Sequence, residues 1–339
     1  MKKLIVLLAL LCLPLLASAQ EGDTLLIPDG TLYTIHHERS VDNPDAKASS
    51  VAYLVLTARR GNEIVPEIIP ATLHGGAHFN PAIAYDAETG MLFAFWIHNP
   101  EGSATQLMFA SRSADGVWSD ATAFGNYNDR RENLRIAVTR KYEDETGATR
   151  SGLTVHLAWW QFTYETRAKS AQYMMVTIQN GAVVNMASLD LTKFVAKPDN
   201  APTETAQIDY RVLMQPLLVS SPTQDSVVLL YGDLETATLN SVHIRPQVKV
   251  VANGRLRVPG GKRESAPYHA PVLSVSEGDR VEGLYGDDDS MAFYTESEGK
   301  VRYVLLRNGE WSEQHAIALD KQVTAGAAVD ALRRLVTDH

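Results

Sequence analysis

Cysteine is almost absent from this 339-residue chain. Its one cysteine, Cys12, lies within the first twenty residues, MKKLIVLLALLCLPLLASAQ. Two lysines, an apolar run from Leu4 to Leu16 and the small residues at 17–19 are typical of a secretory signal peptide. We therefore predict that residues 1–19 are removed on export. The mature chain would then hold no cysteine, which excludes disulfides, thiolate nucleophiles and cysteine-bound metals.

The chain also has little positive charge and no second long apolar segment. Its 40 acidic residues outnumber 31 basic ones, for a formal net charge of −9. Nucleic acids and anionic membranes bind clustered lysine and arginine, so neither is a predicted partner. A membrane anchor is the alternative for the leader, but its apolar run is shorter than the roughly 20 residues that span a bilayer. We expect a bacterial periplasmic or secreted monomer with no membrane span after signal removal.

Tight-turn sequences recur along the chain. Asn-Gly and Asp-Gly pairs favour the positive φ angles of two-residue hairpin turns. Five turn segments, each preceded by a strand-like run, begin at Ala58, Ser113, Gln179, Ala252 and Arg307 and read ARRGNEIVPEIIP, SADGVWSDATAF, QNGAVVNMASL, ANGRLRV and RNGEWSEQHAIAL. The sequence therefore predicts five antiparallel hairpins.

A strand that ends in an aromatic or imidazole side chain lies about 20 to 25 residues before each turn glycine. These strands are LYTIHHE, LFAFWIH, VHLAWWQ, VVLLYGD and VEGLYGD, aligned on His36, Trp96, Trp159, Tyr231 and Tyr285. Four units carry a further strand upstream: HFNPAIAYD, RENLRIAVT, LMQPLLVSS and HAPVLSVS; DTLLIPD is a weaker counterpart in the first. Repeated four-stranded antiparallel units hide their apolar faces by stacking around an axis. We predict an all-β, five-bladed β-propeller over residues 20–322, with a sandwich or a six-bladed ring as alternatives.

The last residues differ in character from the repeats. Val329, Leu332 and Val336 have helical spacing, and Thr324 is available as an N-cap. We predict that residues 323–339 form a short helical tail that docks on the propeller.

The turn at Ser113, Asp115, Gly116 and Trp118 is similar to an Asp box, with one residue fewer between the glycine and the tryptophan. Together with the repeated strands, it resembles the sialidase-like, Asp-box-type β-propellers. That resemblance implies the propeller architecture over nearly the whole mature chain. Sialidase chemistry would further ask for an arginine trio and a tyrosine nucleophile; Arg131, Arg135 and Arg211 with Tyr210 or Tyr268 are the residues to test, but no motif ties them together.

Polar side chains are predicted to meet at one end of the propeller, because the first strands begin where the second strands end. The second strands are followed or ended by Glu38, His98, Gln161, Asp233 and Asp287, and the first strands begin near His78, Asn80, Arg131, Asn133, Tyr210, Arg211, Tyr268 and His269. Aromatic rings beside polar groups suit sugars, which present C–H faces and hydroxyl edges. The predicted ligand-binding residues are His78, Trp96, His98, Arg131, Trp160, Gln161, Arg211, Asp233, His269 and Asp287. The alternative is that polar strand ends merely meet solvent and that Trp96 and Trp159 pack between blades.

Three functions remain open at this point. Binding of a small polar ligand or glycan is favoured, because a ring of polar groups is predicted without a complete catalytic set. A glycoside hydrolase is the first alternative, with its two carboxyls drawn from Glu38, Asp233 and Asp287. A protein-interaction scaffold, which would need an exposed apolar patch, is the second.

No cofactor is predicted. The acidic loop GDDDS, Gly286 to Ser290, is the segment that most favours calcium, but its spacing matches no known calcium loop. His36, His37, His74 and His78 are imidazoles that transition metals accept as ligands, again without a recognised spacing.

Overall fold

The computed structural model of the protein describes residues 22–42, 50–100, 104–124, 129–143, 148–165, 168–190, 216–221, 226–233, 238–244, 249–251, 255–257, 273–274, 281–285, 290–297, 299–307, 310–320 and 322–337. The predicted signal peptide lies outside these residues.

The first three blades are regular four-stranded meanders. Blade 1 consists of β1 (Gly22–Leu26), β2 (Leu32–Arg39), β3 (Ser50–Arg60) and β4 (Glu63–Ile68); blade 2 of β5 (Gly76–Asp86), β6 (Met91–Asn99), β7 (Gln106–Arg112) and β8 (Thr122–Phe124); blade 3 of β9 (Asp129–Glu143), β10 (Thr149–Thr163), β11 (Ala168–Gln179) and β12 (Ala182–Asp190). Short 3-10 turns cover Ser40–Asp42 and Pro70–Thr72. Successive strands within each blade pair antiparallel.

The last two blades depart from this regular form. Blade 4 consists of β13 (Leu217–Ser221), β14 (Ser226–Asp233), β15 (Thr238–Ile244) and β18 (Leu273–Ser274). Among the described strands, β16 (Lys249–Val251) and β17 (Arg255–Arg257) pair with each other and with no third strand. Blade 5 consists of β19 (Val281–Tyr285), β20 (Met291–Ser297) and β21 (Lys300–Arg307), followed by β22 (Glu310–Trp311) and β23 (His315–Ala318), which both pair with β21.

The first strands of the blades lie side by side in chain order. β1 packs on β5, β5 on β9, β9 on β13, and β13 on β19. At the end where the first strands begin, β3 also pairs in parallel with β5. The chain is a five-bladed β-propeller with a short C-terminal helix, as the sequence predicts. The end at which first strands begin and second strands finish is called the mouth below.

The core lies between blades because the strands carry apolar residues on both faces. In β6, Leu92 and Trp96 pack with Ile35 and Leu54 of blade 1. The alternate residues of β6, among them Phe95, pack with blade 3. A third cluster joins blades 4 and 5. Alternation of side chains along a strand explains why one strand serves two interfaces.

One predicted strand order is wrong. VEGLY, aligned above as a second strand, is β19, which pairs with β20 and packs on the first strand of blade 4. HAPVLSVS, predicted as the first strand of blade 5, instead contributes β18 to blade 4. The pattern that predicts Asp287 at the mouth therefore does not hold, because a first strand such as β19 begins at the mouth and ends away from it.

A second correction concerns blade 4. The turn segment that begins at Ala252 was predicted to close the outer hairpin of its blade. It instead lies between β16 and β17, a separate ribbon, and β18 is the strand that pairs with β15. A turn pair fixes a local hairpin but not the sheet that the hairpin joins, which depends on long-range pairing.

The repeated Trp-Ser pair has a structural function in blades 2 and 5. The Oγ of Ser119 accepts the backbone N–H of Ser111 at 3.0 Å, and the Oγ of Ser312 accepts that of Leu305 at 2.9 Å. Each serine thus satisfies a backbone donor of the preceding strand. The two segments share a sequence because they hold the same outer hairpin.

The C-terminal helix α1 (Ala325–Thr337) covers one face of blade 5. The Oγ1 of Thr324 accepts the N–H of Ala327 at 3.3 Å, which is an N-cap. Ala328 and Leu332 are buried against Tyr294 and Val301. In the described part of the chain, no helix has both the length and the apolar character that a bilayer crossing requires.

Candidate functional site

Two histidines are stacked at the mouth of blade 2. His78 on β5 and His98 on β6 are directly opposite in the strand pairing. Their ring centroids lie 4.5 Å apart and the rings are within 7° of parallel. The structure thus brings together two of the residues that the sequence predicted to bind a ligand.

The backbone fixes the tautomer of both rings. His78 Nε2 lies 3.1 Å from the carbonyl oxygen of His74, and His98 Nε2 lies 2.5 Å from that of Gly75. A carbonyl oxygen only accepts, so each Nε2 carries the proton and each Nδ1 presents a lone pair. Both Nδ1 atoms are buried and, within the described residues, neither has a hydrogen-bond partner. The pair therefore holds two acceptors that no described residue uses.

Burial keeps both rings neutral. Burial, together with the neighbouring His98, lowers the pKa of His78 to about 4 and outweighs the opposing hydrogen bond to His74. Burial likewise lowers the pKa of His98. At neutral pH the stacked pair carries no charge and accepts hydrogen bonds as imidazole.

Trp96 adds a donor beside this pair. Its ring is fully buried between blades 1 and 2, so it packs between blades as the alternative interpretation held. Its centroid nevertheless lies 6.2 Å from that of His78, at an interplanar angle of 61°. The indole Nε1 is buried without a hydrogen-bond partner among the described residues. We call His78, His98 and Trp96 the mouth cluster: it contains two acceptors and one donor that are buried and have no partner among the described residues.

A pair of glycines holds the backbone of the mouth cluster in place. Gly75 and Gly76 have φ angles of +83° and +112°, which favour glycine. A Cβ on Gly76 would overlap the backbone carbonyl oxygens of Asn99 and Pro100. This close approach brings the carbonyl of Gly75 within hydrogen-bonding distance of His98.

A second group of polar contacts lies at the mouth of blade 3. Gln161 Nε2 donates to Asp129 Oδ2 at 2.8 Å, and Trp159 Nε1 donates to Gln161 Oε1 at 3.2 Å. The amide of Gln161 is therefore fixed in one orientation. Trp159 packs between blades 2 and 3. Asp129 is not among the residues predicted from the sequence, and the available signal was its position directly before Arg130 and Arg131 at the start of β9.

Arg131 lies at the mouth and is hydrogen-bonded to Thr105, just before β7 of blade 2. It is 5% exposed, and its Nη1 donates to the carbonyl oxygen of Thr105 at 2.5 Å. Its backbone N–H donates to Thr105 Oγ1 at 2.6 Å. Burial lowers the pKa of Arg131, and Asp129 opposes this effect. Arg131 thus ties blade 3 to blade 2, and its predicted contact with a ligand stays a prediction.

Glu38 is held by two side chains of blade 1. Its Oε1 lies 3.1 Å from His36 Nε2, and its Oε2 accepts the hydroxyl of Tyr53 at 2.8 Å. Burial and the Glu38 carboxylate raise the pKa of Tyr53 to about 12. Glu38 is therefore a hydrogen-bonded carboxylate whose two oxygens are both engaged.

Asp23 is a carboxyl that the sequence analysis did not select. It lies on β1, where its Oδ2 accepts the backbone N–H of Ile83 on β5 at 3.1 Å. Burial raises its pKa, although hydrogen bonds from Ile83 and Thr24 and the charge of Arg135 act in the opposite direction. The available signal was DTLLIPD, the weakest of the predicted first strands, which begins with this residue.

The remaining predicted site residues have the following positions. Trp160 is buried on β10, and Asp233 ends β14, paired through its backbone with Thr238. Tyr210, Arg211, Tyr268, His269 and Asp287 lie outside the described residues. Among the residues that the structure describes, no group of three or more His, Cys, Asp or Glu side chains is arranged to hold a metal ion.

Comparison with known proteins adds structural neighbours of low similarity. The sequence matches no protein-family model and no curated protein. A Penicillium chrysogenum α-L-arabinanase, solved with arabinobiose, aligns with a TM-score of 0.45 and 13% identity over 90% of this chain and 82% of its own. A Lactobacillus brevis α-L-arabinofuranosidase aligns with a TM-score of 0.43 and 10% identity, over 84% of this chain and 86% of its own. A Bacillus subtilis arabinanase aligns with a TM-score of 0.36 and 10% identity, over 89% of this chain and 94% of its own. At these TM-scores, no residue or activity is assigned to this chain from them.

Proposed function

We propose that the mouth of this propeller binds a small polar ligand or glycan at the mouth cluster. The observation that carries the proposal is the stacked pair of His78 and His98, whose Nδ1 acceptors, like the indole N–H of the neighbouring Trp96, are buried without a hydrogen-bond partner among the described residues. Leaving a buried polar group unpaired costs about 1 to 3 kcal/mol. A ligand that pairs these three atoms recovers that cost on binding.

The chemistry of the mouth cluster favours a neutral hydroxylated ligand. A hydroxyl group both donates and accepts, so it can pair with an imidazole Nδ1 and with an indole N–H. The two imidazoles are neutral because burial lowers their pKa values, so they provide no charge for an anion. The Asp-box resemblance supports the propeller rather than a sialidase reaction, which we do not propose.

Binding of neutral monosaccharides and oligosaccharides, measured by calorimetry on the mature chain, tests this proposal. His98→Phe keeps a ring to stack on His78 but removes the Nδ1 acceptor, and we expect at least a roughly tenfold loss of affinity. His315→Phe is the matched control, because His315 is an exposed imidazole beside Tyr303, away from the mouth cluster. Unchanged affinity in His98→Phe, or no binding of any sugar by the wild type, would refute the proposal.

A glycoside hydrolase is a second candidate, because Asp23 lies at the start of β1, at the mouth, and burial raises the pKa of this carboxyl as a general acid requires. A hydrolase needs a second carboxyl about 5 to 10 Å away. Turnover of aryl-glycosides with a bell-shaped pH dependence, lost in Asp23→Asn, is the expected result. Sugar binding without turnover at any pH would reject hydrolysis and leave the binding proposal intact.

A further inference from the structure

A row of aromatic side chains extends from the interior of blade 3 to its surface at the mouth. Trp160 and Phe162 alternate along the end of β10, so they share one face, and Tyr164 directly follows the strand. The rings of Phe162 and Tyr164 contact edge to face, with centroids 5.3 Å apart at 89°. Exposure rises along the row, from 2% at Trp160 to 37% at Tyr164. The row thus begins in the core and ends at the surface.

A charged pair lies on the same face. Phe162 is directly opposite Arg130 in the pairing of β10 with β9, and Trp160 is opposite Glu132. Arg130 Nη2 and Glu132 Oε1 form an ion pair, and their side chains are 56% and 26% exposed. Planar donors and acceptors therefore lie beside the aromatic rings, at the level where the rings reach solvent.

The buried end of the row holds an unused donor. Trp160 Nε1 is buried and has no hydrogen-bond partner among the described residues. Buried indole N–H groups ordinarily find a partner. At the other end of the row, the ring of Tyr164 is 37% exposed and open to a ligand.

We propose that this surface, the β10 platform (Trp160, Phe162 and Tyr164 with Arg130 and Glu132), is a sugar-ring subsite. The C–H face of a pyranose or furanose stacks on an aromatic ring, while its hydroxyls pair with a guanidinium and a carboxylate. The inference rests on the proposed function and deepens it. It implies an oligosaccharide as the ligand, with the mouth cluster and the β10 platform holding different sugar units.

Affinity for sugars of increasing length tests the β10 platform. The probes are monosaccharides and trisaccharides of arabinose, xylose and galactose, titrated into the mature chain. We expect Tyr164→Ala to weaken trisaccharide binding roughly tenfold and to leave monosaccharide binding unchanged. Tyr164→Phe, which keeps the ring, should bind as the wild type does. Ile64→Ala is the control, because Ile64 is a 60% exposed apolar side chain on β4 of blade 1.

The outcomes separate the two proposals. An unchanged trisaccharide affinity in folded Tyr164→Ala refutes the β10 platform, while a loss of binding in His98→Phe in the same series still supports the mouth cluster. Equal affinity of the wild type for monosaccharides and trisaccharides also refutes the β10 platform. If the wild type binds no sugar of any length, both proposals are wrong.

Discussion

The Oδ2 of Asp23 on β1 accepts the backbone N–H of Ile83 on β5 at 3.1 Å, across 60 positions of sequence. This bond joins the first strands of blades 1 and 2. A similar bond joins blades 2 and 3, where Asn80 Oδ1 accepts the N–H of Asn133 at 2.9 Å. Short polar side chains on one first strand thus satisfy backbone donors of the next.

Replacing Asp23 separates its hydrogen bond from its charge. Asp23→Ala leaves the Ile83 N–H without an acceptor and should lower the free energy of unfolding by roughly 1 to 3 kcal/mol. Asp23→Asn keeps an amide oxygen for that N–H and removes the charge, so it should be more stable than Asp23→Ala in urea denaturation at neutral pH. Equal stability of the two variants would show that the bond contributes nothing.

The raised pKa of Asp23 also sets the sign of a pH effect. The folded state holds this proton more tightly than the unfolded chain, whose carboxyl titrates near 3.8. The contribution of protonated Asp23 to the free energy of unfolding is therefore largest below pH 3.8 and is lost as the pH rises through the raised pKa of the folded state. In Asp23→Asn this loss should disappear from the pH profile of unfolding.

Buried histidines should make the protein sensitive to acid. Burial lowers the pKa of His78 to about 4 and that of His156, which bonds to Thr139 and Tyr173, to about 3. The unfolded imidazoles take up protons near 6.5 while the folded ones remain neutral, so stability should fall as the pH drops from about 6.5 to about 4. For His78 alone the loss amounts to roughly 3 kcal/mol.

The pH dependence of urea unfolding checks this prediction. His78→Gln should flatten the curve between those two values, whereas His315→Gln, which removes an exposed imidazole, should leave its slope unchanged. A slope that is the same in His78→Gln and the wild type would contradict the assignment.

The turn sequences predicted the local structure correctly because turn chemistry is local. Asn180 and Gly181 adopt the positive φ angles that an Asn-Gly hairpin requires. The order of strands in blade 5 was predicted wrongly because LSVS, VEGLY and MAFYTES are all short apolar runs. Choosing among them depends on pairing across the whole sheet, which a linear pattern does not contain.

The candidate site was predictable only in part. Strand ends at the mouth identified His78 and His98, but their stacking depends on the register of β5 and β6. Their tautomers depend on two carbonyls of the preceding loop. Asp23 was missed because its importance comes from a backbone N–H on another blade, and nothing near Asp23 in the sequence indicates that contact.

Glu67 should stabilise the contact between blades 1 and 2. Its Oε1 accepts the indole N–H of Trp118 at 2.7 Å, and its Oε2 accepts the Nε–H of Arg112 at 2.9 Å. Glu67→Ala removes both bonds and should cost about 1 to 3 kcal/mol in denaturant unfolding. Glu63→Ala, an exposed glutamate on the same strand, should cost little. An equal loss of unfolding free energy in Glu67→Ala and Glu63→Ala would show that the hydrogen bonds of Glu67 to Trp118 and Arg112 do not stabilise the contact.

Gly76 should tolerate no side chain. Gly76→Ala adds a Cβ that meets two backbone carbonyls at a φ of +112°, whereas Gly61→Ala meets nothing within 4 Å at a φ of +61°. Gly61→Ala should cost only the backbone strain of about 1 to 2 kcal/mol. Gly76→Ala should cost more and disturb the mouth cluster, as thermal unfolding and sugar titration would show. Similar melting temperatures in Gly76→Ala and Gly61→Ala would contradict the close packing of Gly76 against the carbonyl oxygens of Asn99 and Pro100.

The central claim, that the mouth cluster binds a polar ligand, is tested most directly by nitrogen NMR of the histidine rings and tryptophan indoles during sugar titration. The Nδ1 signals of His78 and His98 should shift together with the indole N–H signal of Trp96, because different hydroxyls of a bound sugar would pair with these atoms. The indole N–H signal of Trp118, which already donates a hydrogen bond to Glu67, should not shift. Saturable sugar binding that leaves the signals of His78, His98 and Trp96 unmoved would contradict the claim.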